Sequence, residues 1–127
     1  MKEFGFNDHD FHAIARRAYE LSLQGAYDQA ATLLEGLRAI DPLDGYSLMT
    51  LAAVRMKQGR SPEAARMLEA WLAARPDDAE PRRLLIEALL DAKRLSEARA
   101  ERSRLEASGA TLRTRLRLRL QAAENFS

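Results

Sequence analysis

The chain has 127 residues, 46% of them hydrophobic and 31% charged, with a net charge of +1. That length suits one domain with a modest core, and that balance is neither a disordered tail nor a membrane protein. There is no cysteine, which excludes disulfides, iron–sulfur clusters, thiol catalysis and cysteine-based zinc sites. No apolar run approaches the roughly 18 residues that a membrane span needs, so no membrane insertion is expected. The N-terminus, MKEFGFNDHD, carries acidic residues where a signal peptide would have its apolar core, which makes the cytoplasm the expected location.

The net charge hides an asymmetry. Residues 1–50 hold eight acidic and four basic side chains, and residues 51–127 hold eleven acidic and sixteen basic. Much of the basic excess is Arg99, Arg102, Arg104, Arg113, Arg115, Arg117 and Arg119. Such a run is either a patch for an acidic partner or a solvated helix face with local pairing, and the second is the commoner case. Aromatic residues for stacking on bases are scarce there, which argues against nucleic acid.

Residues 1–10 read as an N-terminal arm. Asn7 or Asp8 can cap a helix, and Phe6 then stands where a hydrophobic staple packs. The alternative is an aromatic arm, Phe4 and Phe6, that reaches the protein's own groove or another protomer. His9, Asp10 and His12 have metal-ligand chemistry, but they sit at a fraying terminus without a matching second half. No metal and no cofactor is expected.

The first helix runs from Phe11 to Leu23, with Phe11, Ile14, Ala15, Ala18 and Leu21 at helical spacing, and Gly25 breaks it. The second spans Asp28 to Ile40, with Ala30, Leu33, Leu34 and Leu37 inward. Asp41-Pro42 ends it, because a residue before proline disfavours the α region. The third is Gly45 to Gln58, capped by Asp44. Leu48, Leu51, Ala52 and Met56 form one apolar face; Tyr46, Met49 and Ala53 add a second. The fourth, Ser61 to Ala74, buries Ala64, Leu68 and Trp71. It tolerates Pro62 in its first turn and stops at Pro76.

The fifth helix spans Ala79 to Ala92, with Leu84, Leu85, Ala88 and Leu89 as its stripe, and Asp77 with Glu80 at capping-box spacing. Lys93 replaces the turn glycine. The sixth is Ser96 to Ala107, with Ala98 and Leu105 inward. Its pattern weakens, because Arg102 stands where Leu34 and Leu68 stood, and Ser108-Gly109 replaces the proline stop. In the last piece, TLRTRLRLRLQAAENFS, alternating leucines and arginines spell a strand. Leu112, Leu116 and Leu120 at i, i+4, i+8 spell a helix. An all-helical array offers a lone strand no partner, so the reading is a capping helix with a polar outer face.

The grammar repeats. Gly25, Ala30, Leu34, Leu37 and Pro42 recur 34 residues later as Gly59, Ala64, Leu68, Trp71 and Pro76. Self-similarity at that period means stacked helical units. These residues resemble the tetratricopeptide repeat (TPR). The family's mid-repeat Gly–x–Tyr–x–x–Ala turn stands as Gly25, Tyr27, Ala30, then Gly59, Ser61, Ala64, then Lys93, Leu95, Ala98. Its early tryptophan and glycine are absent. The resemblance covers about 100 of the 127 residues. It implies an all-α, right-handed α-solenoid of three TPR units, 11–44, 45–78 and 79–112, with a capping helix and tail over 113–127.

In that family the first helix of each pair lines a concave groove. Carried over residue by residue, this places Tyr19 and Leu23, then Tyr46, Met49, Ala53 and Met56, then Arg83, Glu87 and Leu90 on the partner-binding face. His12, Ala15 and Ser22 join the first group. The Met and Tyr side chains either accept varied apolar segments or fill gaps between helices. The family's carboxylate clamp needs Lys and Asn where this chain has Ala15, Tyr19 and Ala53, so a chaperone-tail adaptor is not implied. Small cysteine-free chains of this kind also resemble the TPR chaperones of type III secretion. The expectation is a protein-binding module that holds a small secreted or assembly subunit through an apolar or amphipathic segment. The alternative is a scaffold acting through its outer or basic C-terminal face. A homodimer or a heterocomplex is compatible with either. No phosphate-cradling loop, metal cluster or nucleophile constellation points to an enzyme. Glu87 and Asp91 read as i, i+4 partners of Arg83 rather than as an acid–base dyad.

Overall fold

The computed structural model describes residues 7–126; Phe4 and Phe6 lie outside them. Every described element is helical: α1 (Asp8–Leu23), α2 (Tyr27–Ile40), α3 (Gly45–Lys57), α4 (Ser61–Ala74), α5 (Ala79–Asp91), α6 (Leu95–Ala107) and α7 (Thr114–Asn125). The chain divides into two compact units, one ending at Arg60 and one beginning at Ser61.

In the first unit α1 and α2 form an antiparallel pair, and α3 packs on α2 while touching α1. The start of α1 is set by Asn7, whose side chain accepts from the Asp10 N–H at 2.9 Å, while the Asp10 carboxylate accepts from the Asn7 N–H. This reciprocal capping box is where the carboxylate of the candidate metal group is spent. Ala18, Ala30 and Ala52 are fully buried and let the helices approach closely, while Leu34, Leu37 and Leu48 fill the space between. Each such leucine contributes about 1.5–3 kcal/mol. A polar string ties α2 to α3: Gln58 donates to Asp28 at 2.7 Å, and the buried Arg55 donates to Gln58 at 3.0 Å and pairs with Glu35.

In the second unit α4, α5 and α6 pack in succession, and α7 lies more sparsely on α6. Ala64, Ala65, Leu68, Trp71 and Leu72 of α4 are buried, as are Leu85, Ile86, Ala88, Leu89 and Leu90 of α5. Ile86 is fully buried and Leu84 only half-buried, so the α5 stripe is rotated from the expected one. The expected capping box at Asp77 does not form. The cap position is Asp78, and it makes no side-chain cap because its carboxylate accepts the Trp71 indole N–H at 2.9 Å. The Arg75 guanidinium covers the same ring at 3.9 Å. Arg82, 7% exposed, pairs with Glu101 and donates to the Pro76 carbonyl at 2.6 Å, joining α5 to α6 and to the turn before α5.

Four helices end the same way. Gly25, Gly59, Lys93 and Gly109 all have positive φ. After each, the next N–H reaches back to a carbonyl five residues earlier, Ala26 to Leu21, Arg60 to Arg55, Arg94 to Leu89 and Ala110 to Leu105. This is the Schellman closure, which satisfies carbonyls the helix leaves orphaned. Helix α6 therefore ends like α1, α3 and α5 and unlike α2 and α4, which stop before proline.

Helix α7 forms as the leucine stripe predicts. Leu112 and Leu120 are buried and Leu116 is half-buried. Its outer face is not wholly polar, however: Leu118 is 57% exposed and Phe126, at the C-cap, 91%. Arg102, the residue that breaks the α6 leucine pattern, reaches Glu124 at 3.6 Å and Glu106 at 3.5 Å. A position that held apolar packing in α2 and α4 carries an ion pair to α7 here.

Candidate binding cleft

Helix periodicity places His12, Ala15, Arg16 and Tyr19 on one side of α1. The first turn of α3 faces them and is held rigidly. Asp44 Oδ2 accepts from the Ser47 N–H at 2.8 Å and from its hydroxyl at 2.6 Å, so Ser47 is fully buried and Tyr46 is turned outward. Between the two helices lies a cleft of about 510 Å³ lined by Phe11, His12, Ala15, Arg16, Tyr19, Asp44 and Tyr46.

Phe11 and Ala15 are buried and make the floor. Phe11 meets the His12 ring edge-on, with centroids 6.3 Å apart and planes at 89°. The walls are Tyr19, 48% exposed, and Tyr46, 52% exposed. Arg16 is exposed and makes no ion pair among the described residues, whereas its neighbour Arg17 is paired with Glu20 at 3.7 Å. The cleft is thus an apolar base with aromatic walls and a cationic rim.

Of the residues expected on a binding face, Tyr19 and Tyr46 come together here. Leu23 is exposed further along α1, and Ser22 spends its hydroxyl on the Tyr19 carbonyl at 2.6 Å. On α3, Ala53 is exposed while Met49 and Met56 are half-buried, and none of the three lines the cleft. In the second unit Leu90 is buried and Glu87 half-buried. Arg83 donates to Glu80 at 2.5 Å and to the Thr111 carbonyl at 2.8 Å, in place of the i, i+4 pairing with Glu87. Asp91 pairs with Arg119 of α7 rather than with Arg83.

Phe11, Arg16 and Asp44 were not singled out as binding residues from the sequence. Arg16 had a readable signal, since it stands four residues after His12 and three before Tyr19 on the same helix face. Phe11 and Asp44 had none, because each already had a structural duty as core residue or cap.

The basic C-terminal run is largely consumed within its own unit. Arg99 and Arg102 meet Glu124, Arg104 meets Glu101 at 2.6 Å, Arg113 meets Glu80 at 2.9 Å, and Arg119 meets Asp91. Arg115 and Arg117 are exposed without an ion pair among the described residues. No group of three or more His, Asp or Glu side chains among those residues could hold a metal ion. Among the described residues no helix is long and apolar enough to cross a membrane.

The sequence profile described as tetratricopeptide repeat matches residues 21–85 and 56–123. No curated protein sequence matched. Among solved structures, the chain is similar to the type III secretion chaperone SycD of Yersinia enterocolitica in complex with a peptide of the translocator YopD, at 18% identity, 93% of this chain, 95% of that chain and a TM-score of 0.78. It is similar to PcrH from Pseudomonas aeruginosa at 16% identity, 94% and 95% coverage and a TM-score of 0.80. A TPR domain from Aspergillus fumigatus is also similar, at 18% identity, 91% and 78% coverage and a TM-score of 0.79. At these identities the likeness is one of fold.

Proposed function

The chain belongs to the tetratricopeptide repeat family, and from that premise we propose that it is a cytoplasmic chaperone for a small secreted or assembly subunit of the type III secretion kind. It holds an apolar or amphipathic segment of that client in the cleft between α1 and α3. The observation that carries this reading is the pair of half-exposed tyrosines, Tyr19 and Tyr46, lining one cleft with the buried Phe11 and Ala15. Aromatic side chains left in water at the mouth of a rigid concavity are what a partner's apolar anchor covers, and each well-buried anchor contributes about 1.5–3 kcal/mol. The near-complete mutual coverage with SycD, a type III secretion chaperone holding a translocator peptide, supports the same reading.

The test is Tyr19→Glu combined with Tyr46→Glu. Both side chains are solvent-facing, so helicity by circular dichroism should be unchanged, while the client captured from the native host is lost. Retention of the same stoichiometric client would sink the cleft model. A scaffold acting through α7 is the second reading, favoured by exposed Leu118 and Phe126 beside Arg115 and Arg117. It predicts that Arg115→Glu with Arg117→Glu, and not the tyrosine pair, abolishes capture.

A further inference from the structure

We propose that the α1–α3 cleft selects client segments that carry a carboxylate within a turn of their apolar anchor; this rests on the chaperone reading above. The cleft's unspent polar groups are weighted toward donors. Arg16 can only donate, its charge has no ion-pair partner among the described residues, and it sits at the rim one helical turn from His12. The Tyr19 and Tyr46 hydroxyls are free of hydrogen bonds to other described residues and can donate as well. Among the described lining residues the one carboxylate is Asp44, and its Oδ2 accepts both the N–H and the hydroxyl of Ser47 at the N-terminus of α3. The positive end of that helix offsets its charge. The nearest acid along α1, Glu20, is paired with Arg17.

A segment crossing the cleft therefore finds an apolar floor at Phe11 and Ala15 and, beside it, a guanidinium without an ion pair among the described residues. An apolar side chain fills the floor, and a glutamate or aspartate about one turn away meets Arg16, whose planar fork takes a carboxylate through two parallel bonds. A basic residue at the same place meets repulsion instead. The cleft thereby discriminates among equally apolar segments by the charge next to the anchor, which is how an open groove gains specificity without more buried area.

The experiment measures binding of three fluorescein-labelled synthetic peptides to the full chain by anisotropy. The peptides share one amphipathic Leu/Phe core and differ only at the positions flanking it, which are Glu, Gln or Lys. At low salt the Glu peptide should bind about three- to fivefold tighter than the Gln peptide, the range for a partly solvated ion pair. The Lys peptide should bind weakest, and the spread should collapse at an ionic strength of about 1 M, where screening acts over roughly 3 Å. Arg16→Gln should abolish the Glu preference, so that the Glu and Gln peptides bind the variant alike. Lys57→Gln, at the end of α3 away from the cleft, makes the same change in net charge and should retain the preference. Equal binding of the three peptides, or a Glu preference that survives Arg16→Gln, overturns acid selection and leaves the chaperone reading standing. Failure of all three to bind the wild-type chain overturns both.

Discussion

Helices α1 and α5 hold matching places in the repeat grammar, yet their outward side chains meet different fates. On α1, Tyr19 stays 48% exposed and Arg16 has no ion pair among the described residues. On α5, Arg83 and Glu80 are taken up by Thr111 and Arg113 from the segment before α7, and Asp91 by Arg119 of α7 itself. Among the described residues, α5 receives a partner of its own from the C-terminal segment and the outward face of α1 does not. A repeat surface is available for binding where the next element does not spend its polar groups. This is why the aromatic cleft of the first unit, rather than the charged face of α5, is the better candidate for a client.

The largest expected effect breaks the comparison from the α5 side. Leu120 is the fully buried anchor of α7. Leu120→Ala should cost about 2–5 kcal/mol locally, the range for a buried leucine truncated to alanine. Because α7 packs sparsely, the expected outcome is undocking of that helix rather than global unfolding. Amide exchange should accelerate across Thr114–Asn125 while α4 and α5 stay protected. Wild-type protection in α7 would mean that its ion pairs, not Leu120, hold it.

A smaller effect sharpens the comparison at the turns. Gly59 and Lys93 occupy the same left-handed closure, with φ of 77° and 62°. Nothing lies within 4 Å of a Cβ placed on Gly59, so the penalty there is purely one of backbone conformation. Lys93→Gly should raise stability by about 1 kcal/mol and Gly59→Ala should lower it by a similar amount, read from urea denaturation midpoints. An unchanged midpoint in Lys93→Gly would show that the lysine turn is unstrained.

The smallest effect concerns the ion pair at the start of α6. Arg94 donates to both Glu97 oxygens, at 3.0 and 2.5 Å, and holds that carboxyl below its ordinary value. The folded state therefore gains stability above the unfolded-state value of Glu97 and loses it as pH falls through the lowered folded one. Both side chains are solvent-exposed, so the gain is small. Arg94→Ala should flatten that acid limb slightly relative to wild type in acid-unfolding curves, and identical limbs would dismiss the pair as a contributor.

Much of this architecture was legible because its signals are local. The leucine and alanine stripes of α1 to α4, the proline stops at Pro42 and Pro76 and the glycine turns act over four or five residues, and the helices fall within a few residues of the expected ends. Lys93 was legible as the place of a turn, since position in the repeat requires positive φ there whatever the residue. Asp78 was not, because its choice between capping α5 and bonding Trp71 depends on how α4 delivers the indole. The site was half legible: Tyr19 and Tyr46 follow from periodicity and the family's geometry, while Phe11 and Asp44 serve the cleft through contacts that no spacing announces.

By itself the sequence determined seven helices, their punctuation and the repeat, since hydrophobic period, proline and glycine act through the backbone of their own neighbourhood. The tertiary structure alone decided which charges remain free. Arg113 finds Glu80 across 33 residues and Arg119 finds Asp91 across 28, and such pairings depend on which helices pack together. Arg16 differs from them in its surroundings: it makes no ion pair among the described residues, because the helices packed around α1 bring no carboxylate within ion-pair distance of it.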